Sequence, residues 1–426
     1  MTNSREIASL ILSNVYQGKN LDWALNTSKG LAKLDSRDRA FVSLLVLTAL
    51  RRHGQIDKII SKFIKKPLKG GSQVIYILKI ALAQIIFMDT PDYSAVNTAV
   101  EISKKYNLDK LVNGVLRSVL REKDTINVNS TEENIPNWLS KTTIDHLGED
   151  TLSAISKQIV KEPPIDIKVK KQIFQKFNWE EVLEGKNIFR ETIRINHKGD
   201  ISKLPFYREG HWWIQGLAAT LPVILINEIF KDQKKNEISI LDVGAAPGGK
   251  SFQLIESGFK IKSIEISNVR IKKLLKNLNR LKYETEIING DFITHKIDEK
   301  FDCILIDAPC SASGLIQKKP EMLVIKKNIN GLKTKQKLML ERASKLLRDG
   351  GYIIYCVCSI IFSEGEEQIQ TFLQNSKNFS LINCFNSIKS FGIVNNNPPY
   401  FFVTPNFVTE SGSIDGFFIA CLKKNY

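Results

Sequence analysis

The spacing of apolar positions divides the chain into three stretches of different rhythm. Over residues 1–125 they recur at helical intervals; Ser4–Tyr16, for example, carries Ile7, Leu10, Ile11 and Val15 on one face. The same period runs through Ser36–His53, where Gly54 would form a left-handed C-terminal cap. It continues through Ser72–Met88 and Ser94–Tyr106, each with a serine at its start to cap it, and a short helix follows near Leu108–Arg121. This stretch predicts an all-α domain. Residues 126–216 are less regular: a helical pattern over Thr142–Lys161 ends at Pro163–Pro164, and short β-like pieces follow at Ile165–Val169 and Thr192–Asn196. A small α+β domain is predicted there. From residue 217 the rhythm changes again, with strands at Ser239–Val243, Ile261–Ile266, Phe301–Ile306 and Tyr352–Val357 alternating with helices such as Asn268–Leu281 and Asn328–Leu347. Such alternation predicts an α/β domain over 217–426 built on a parallel, doubly wound sheet. Phe417–Leu422 would pair antiparallel at its edge, beside Phe379–Cys384.

Length and charge sharpen this division. A chain of 426 residues suits two or three domains, and 43% hydrophobic with 25% charged residues is globular composition. Lys and Arg number 61 against 45 Asp and Glu, a net +16, of which residues 1–125 contribute +9. A basic helical module predicts a polyanionic partner, nucleic acid first, with Arg37, Arg39, Arg51, Arg52, Lys65 and Lys66 as candidate phosphate contacts. No apolar run approaches the roughly 18 residues of a membrane span. The start MTNSREIASLILSNVYQG lacks the basic and apolar regions of a signal peptide. All six cysteines fall in the last third, so they read as reduced thiols of a cytoplasmic protein, expected to be a monomer that does not associate with membranes.

The segment Ile240–Ser251, ILDVGAAPGGKS, is a buried strand entering a small-residue loop and then a helix. Gly244, Ala245, Ala246, Pro247, Gly248, Gly249 and Lys250 let the backbone approach a ligand closely, at a helix N-terminus that favours negative charge. Gly244-x4-Gly249-Lys250-Ser251 also matches the phosphate-loop pattern, and Phe301–Asp307 could pass for its acidic partner strand, so a nucleoside triphosphatase competes. Against it, Pro247 has no amide hydrogen to offer a phosphate. Glu265 closes the next strand about 20 residues on, where a carboxylate suits two ribose hydroxyls. Asp291 follows the strand after that and could take the other end of the same ligand. Carboxylates at successive strand ends favour an adenosine-type cofactor.

Asp307 and Cys310 lie at the C-terminal mouth of the strand in FDCILIDAPCSASG, and Cys358 at that of GYIIYCVCSI. In a doubly wound sheet these ends share one crevice. Cys303, Cys356, Cys384 and Cys421 read as buried hydrophobes. No C-x-x-C pair occurs and no histidine has ligand spacing, so no metal is expected.

DVGAAPGGK, DAPCSASG and YCVCSI together resemble the RNA cytosine-5 methyltransferase family, S-adenosyl-L-methionine enzymes with a Rossmann-like catalytic domain; the likeness covers roughly residues 195–426. LDSRDRAFVSLLVLTALRR and VNTAVEISKKY, with LVNGVLRSVLRE, resemble the NusB-type helical RNA-binding domain. The two together resemble the RsmB-type members of the family, which act on bacterial 16S ribosomal RNA. The resemblance implies that Gly244–Lys250, Glu265, Asp291 and Asp307 border the cofactor. It also implies that Cys358 is the nucleophile and that Cys310 is needed to release product. A thiolate adding to C6 of cytosine would make C5 nucleophilic, and Asp307 could hold the N3 proton that the adduct requires. The chain departs from the family pattern in four places: Gly244 stands for the usual Cys, Val357 for Thr, Gln317–Glu321 for Arg-Arg-His-Pro-Asp, and Gly216 for the Asp after Gln215. Transfer RNA as substrate, and a non-catalytic RNA-binding or antitermination factor, remain alternatives.

Overall fold

Apolar residues three and four apart bring the N-terminal helices together on their buried faces. In the computed structural model, which describes residues 3–64, 72–197, 199–396, 399–409 and 412–426, one compact unit comprises residues 1–162 and 316–327. Its helices are Ser4–Tyr16, Leu21–Thr27, Lys29–Ala32, Ser36–Arg51, His53–Phe63, Gln73–Phe87, Asp92–Ser103, Asp109–Arg121, Asn137–Leu147 and Glu149–Ile159. Ile7, Ile11 and Val15 are buried as their spacing predicts, whereas Leu10 is exposed.

Several boundaries differ from the sequence reading. Gly54 is no cap but lies in the first turn of the helix His53–Phe63. A Cβ there would run into the Glu133 carbonyl, and its amide donates to Asn134 Oδ1 at 3.1 Å, so glycine serves a close approach. Ser72 and Ser94 make no capping bond; Ser94 sits inside a helix that begins at Asp92, and its hydroxyl accepts from Arg5. The pattern over Thr142–Lys161 is two helices broken at Gly148 (φ 82°). Arg37 and Arg39 are exposed, and Arg52 is half-buried over the Phe87 ring. Arg51, expected at the surface, is 7% exposed, because the helix that carries it packs against Pro320–Leu323. Lys65 and Lys66 lie outside the described residues.

The second unit comprises residues 163–315 and 328–426, so the stretch read as one middle domain is divided between the units at residue 162. It opens with an antiparallel sheet of β1 (Ile165–Val169), β2 (Gly185–Phe189), β3 (Thr192–Ile195) and β4 (Trp212–Ile214), in the order β2-β3-β1-β4. Asp166 and Arg194 form a buried two-bonded ion pair at 2.7 and 3.1 Å. Asp166 also accepts the Leu217 amide at 2.9 Å, at the start of the helix Leu217–Ile229. This tie joins the small sheet to the larger one.

The larger sheet contains β5 (Ser239–Val243), β6 (Lys260–Glu265), β7 (Glu286–Asn289), β8 (Phe301–Asp307), β9 (Leu347–Val357), β10 (Phe379–Leu381), β11 (Ile393–Asn396) and β12 (Pro399–Val403). A two-stranded ribbon of β13 (Val408–Thr409) and β14 (Gly412–Ser413) precedes the last strand, β15 (Phe417–Lys424). The order is β11-β12-β15-β9-β8-β5-β6-β7, with β10 also paired to β15. β7, β6, β5, β8 and β9 are parallel, as expected. β15 does pair antiparallel with β9 and β10, but it is interior rather than an edge, since β12 covers its other side. The apolar run of β15 reports burial of both its faces, but it is pairing with β12 that makes the strand interior. One face packs Cys303, Leu305, Ile354 and Cys356 against Leu217–Ile229; the other packs Ile304, Ile306, Ile353 and Tyr355 against Met339, Leu340, Ile369 and Phe372. Among the described residues, no helix is long and apolar enough to cross a membrane.

Candidate active site

Strand order reverses between β5 and β8, with β6 and β7 on one side and β9 on the other. At such a point the loops leaving adjacent strands diverge and open a crevice at their C-terminal ends. The loop 244–248 leaves β5 here. Gly244 has φ 78°, and a Cβ on it would come within 2.7 Å of the Asp307 carbonyl oxygen, so in this chain a larger residue is excluded on both counts. Gly248 has φ 118° and lies against the Phe252 ring. Gly249, first residue of the helix Gly249–Glu256, lies over the buried side chain of Gln215. Gln215 accepts from the Trp213 indole at 2.7 Å and donates to Gln253 at 2.6 Å, which holds the loop from beneath.

Carboxylates follow or end the neighbouring strands, and two of them, Glu265 and Asp307, are tied to this loop. Glu265 ends β6 and is 2% exposed. Its Oε1 accepts the Ser267 amide at 3.0 Å, while its buried Oε2 has no hydrogen bond and lies 3.1 Å from Arg270 Nη1. Arg270 also reaches the Ala246 carbonyl and thereby ties the loop to the helix Asn268–Leu281. A buried acceptor with an unfilled lone pair beside a glycine-rich loop fits the ribose hydroxyls of an adenosine cofactor. Asp291 follows β7 and caps its own turn, accepting the Ile293 amide at 2.9 Å. Asp307 ends β8, and its Oδ2 binds Lys250 Nζ at 2.7 Å. Burial opposes the charge on Lys250, but the Asp307 carboxylate outweighs it and raises the ammonium pKa. The lysine that a phosphate loop would present to a nucleotide is therefore engaged with a carboxylate.

Sequence reasoning missed Asp242, in the middle of β5. It is fully buried; Oδ2 accepts the Ser251 hydroxyl at 2.5 Å and Oδ1 has no partner. Burial pushes its pKa up to about 6, against the opposing pull of Ser251 and Lys250. A lone acid interrupting ILDV was the signal available for it.

β8 and β9 bring the two cysteines together: the Cys310 and Cys358 sulfurs are 3.4 Å apart, both half-buried. The contact with Cys358, then burial, then the charges of Cys358 and Glu364 push the Cys310 thiol well up. Either sulfur can donate in this contact. Cys303, Cys356 and Cys421 are buried and Cys384 half-buried, in the core. Cys356 lies 3.9 Å from Asp307 Oδ1, and burial pushes its thiol up. Among the described residues, no group of three or more His, Cys, Asp or Glu side chains is arranged to hold a metal ion.

Known proteins match this chain over most of its length. The family described as 16S rRNA methyltransferase RsmB/F matches residues 229–423, and the NusB family matches residues 2–121. The chain is 30% identical to ribosomal RNA small subunit methyltransferase B of Shewanella oneidensis over 403 residues, 89% of this chain and 91% of that one. Among solved structures it is similar in fold to PH0851, with a TM-score of 0.74 and 23% identity over 99% of both chains. It is also similar to NSun6 from Pyrococcus horikoshii, solved with SFG, with a TM-score of 0.58 and 19% identity over 69% of this chain and 99% of that one.

Proposed function

Because this chain belongs to the RsmB/F family of 16S rRNA methyltransferases, we propose that it methylates C5 of a cytosine in 16S ribosomal RNA through a covalent Cys358–C6 adduct. The observation that carries this reading is the 3.4 Å contact of Cys310 with Cys358, at the ends of the neighbouring parallel strands β8 and β9. Two thiols in contact at neighbouring strand ends suit an addition and a later elimination better than a single nucleophile would.

Residues 244–250 and Glu265 would hold S-adenosyl-L-methionine, with Glu265 taking the ribose and Asp291 another part of the ligand. When bound, that cofactor supplies an electrophilic methyl group. Cys358 attacks C6, and the electron pair released into the ring makes C5 nucleophilic. Asp307, with Oδ2 already on Lys250, has Oδ1 to hold the N3 proton and so disperse the charge that develops on the base. After methyl transfer C5 carries both the methyl group and a proton. Cys310 as a thiolate takes that proton, directly or through a water, which restores the ring double bond and expels Cys358 as a thiolate. The base must be unstacked to be reached, so single-stranded or junction RNA is the substrate form.

In this reading residues 1–125 hold RNA through its phosphates and 217–426 catalyse, while the stretch 126–216, divided between the two units at residue 162, links and supports them, within a cytoplasmic monomer. Bisulfite sequencing of 16S rRNA from cells with and without the protein, followed by methylation of the unmodified RNA by the purified chain, tests it. The expected result is one methylated cytosine that disappears without the protein and returns on treatment with it. An unchanged 16S pattern, with a methylated cytosine missing from transfer RNA instead, would transfer the same chemistry to that substrate.

A further inference from the structure

A third group joins the two cysteine loops from below. Glu364 follows β9 in the turn Phe362–Glu364, and its side chain is fully buried. It accepts the Ser311 amide at 2.9 and 3.2 Å, the Ser311 hydroxyl at 2.6 Å, the Ser359 hydroxyl at 2.6 Å and Gln336 Nε2 at 3.3 Å. Ser311 directly follows Cys310, and Ser359 directly follows Cys358. Ser313 closes the cluster: its oxygen lies 3.0 Å from each of the Ser311 and Ser359 oxygens and accepts the Ile360 amide at 3.0 Å. Gly314 donates to the Cys358 carbonyl at 3.1 Å, and Gln336 also holds the Pro309 carbonyl at 2.9 Å. Every group directed at the Glu364 carboxyl is a donor, so the site is built for an ionised carboxylate, which only accepts.

We infer that Glu364 is a positioning residue for the methyl-transfer reaction: its buried carboxylate clamps the Cys310 and Cys358 loops together and sets the distance between the two sulfurs. The inference rests on the reading of Cys358 as nucleophile and Cys310 as its partner. Among the described residues the Glu364 carboxylate makes its hydrogen bonds to Ser311, Ser359 and Gln336 rather than to either sulfur. Its negative charge also helps to push the Cys310 thiol up, behind the contact with Cys358 and burial. Carboxylate chemistry is required rather than mere bulk, because an amide in the same space would turn an N–H₂ toward hydroxyl and amide donors.

The test compares the full-length protein with Glu364→Gln, Ser311→Ala and Ser359→Ala. On 16S rRNA, Glu364→Gln should lower kcat by roughly 10²-fold, the cost of displacing reacting groups by about 1 Å. KM for RNA and the affinity for adenosylhomocysteine should stay within about twofold, since the RNA-binding surface and the 244–250 loop are untouched. Restoring the charge with Glu364→Asp should recover part of kcat, whereas a role in packing alone would give Asp no advantage over Gln. A readout independent of catalysis is the rate at which diamide oxidises Cys310 and Cys358 to a disulfide, mapped by mass spectrometry; it should fall about tenfold when the clamp is loosened. Ser311→Ala and Ser359→Ala, which each remove one donor, should show smaller reductions of the same kind and carry the test if Glu364→Gln does not fold. Wild-type kcat and wild-type oxidation rate in folded variants would overturn the inference. Slowed oxidation in a protein whose wild type methylates no cytosine would instead overturn the reading of the reaction and leave the clamp standing.

Discussion

Cys310 and Cys358 are 48 residues apart in the chain, yet their sulfurs lie 3.4 Å apart, because β8 and β9 are parallel neighbours that end at the same mouth. Their proposed roles predict opposite failures. Cys358→Ala can form no adduct and should lose activity by roughly 10⁴-fold or more. Cys310→Ala should still add to the base and transfer the methyl group, then remain attached to the RNA. A denaturing gel with labelled RNA should show a shifted band for Cys310→Ala alone; a band for Cys358→Ala alone would exchange the two roles.

Glu265→Ala should weaken adenosylhomocysteine binding by about 1–3 kcal/mol, the worth of charge-assisted bonds to two ribose hydroxyls. Because Arg270 lies 3.1 Å from Glu265 Oε2, the cofactor must displace or share that guanidinium. Arg270→Ala should therefore change cofactor affinity while RNA affinity stays constant. Wild-type calorimetric affinity in Glu265→Ala would remove that carboxylate from the site.

Asp242 predicts a pH signature of folding. Its pKa rises from the ordinary 3.8 to about 6 on burial, so the folded chain holds a proton that the unfolded chain has lost. The stability this contributes is complete below about pH 4 and is lost as pH rises through about 6. Between pH 4 and pH 7 the loss is on the order of 2–3 kcal/mol. Denaturant unfolding of Asp242→Asn should show a stability curve flatter than wild type across that window. Parallel curves would mean that Asp242 stays ionised in the fold.

The basic surface of the N-terminal unit is best tested by substitution, since residues 316–327 belong to that unit and deleting 1–125 would leave them without it. Arg37 and Arg39 are both exposed. Arg37→Gln with Arg39→Gln should reduce the salt slope of RNA binding by about 0.7–0.9 for each phosphate that the arginines neutralise. Arg51→Gln should act differently, lowering stability first, because that side chain is buried. An unchanged slope in the double variant would make Arg37 and Arg39 solvated surface.

Much of the fold was legible because helical and alternating periods report which face of an element is buried. Ser4–Tyr16, Asn268–Leu281 and Ser239–Val243 have the limits their patterns predict. The strand-end positions of the glycine-rich loop, Glu265 and the two cysteines were legible too, since an apolar run that gives way to a small-residue motif marks where the strand stops. Other features depended on the meeting of distant segments. Gly54 reads as a cap from its neighbours but answers to Glu133; Arg51 reads as surface but is covered by Pro320–Leu323. The interior position of β15 follows from β12 pairing on its far side, a choice its own apolar residues do not express. Glu364 sits in a polar stretch, SEGEE, that looks like any solvated turn. Only the folded chain brings Ser311, Ser359 and Gln336 around it, because hydrogen-bond partners are selected by distance in space while sequence patterns record only local period and burial.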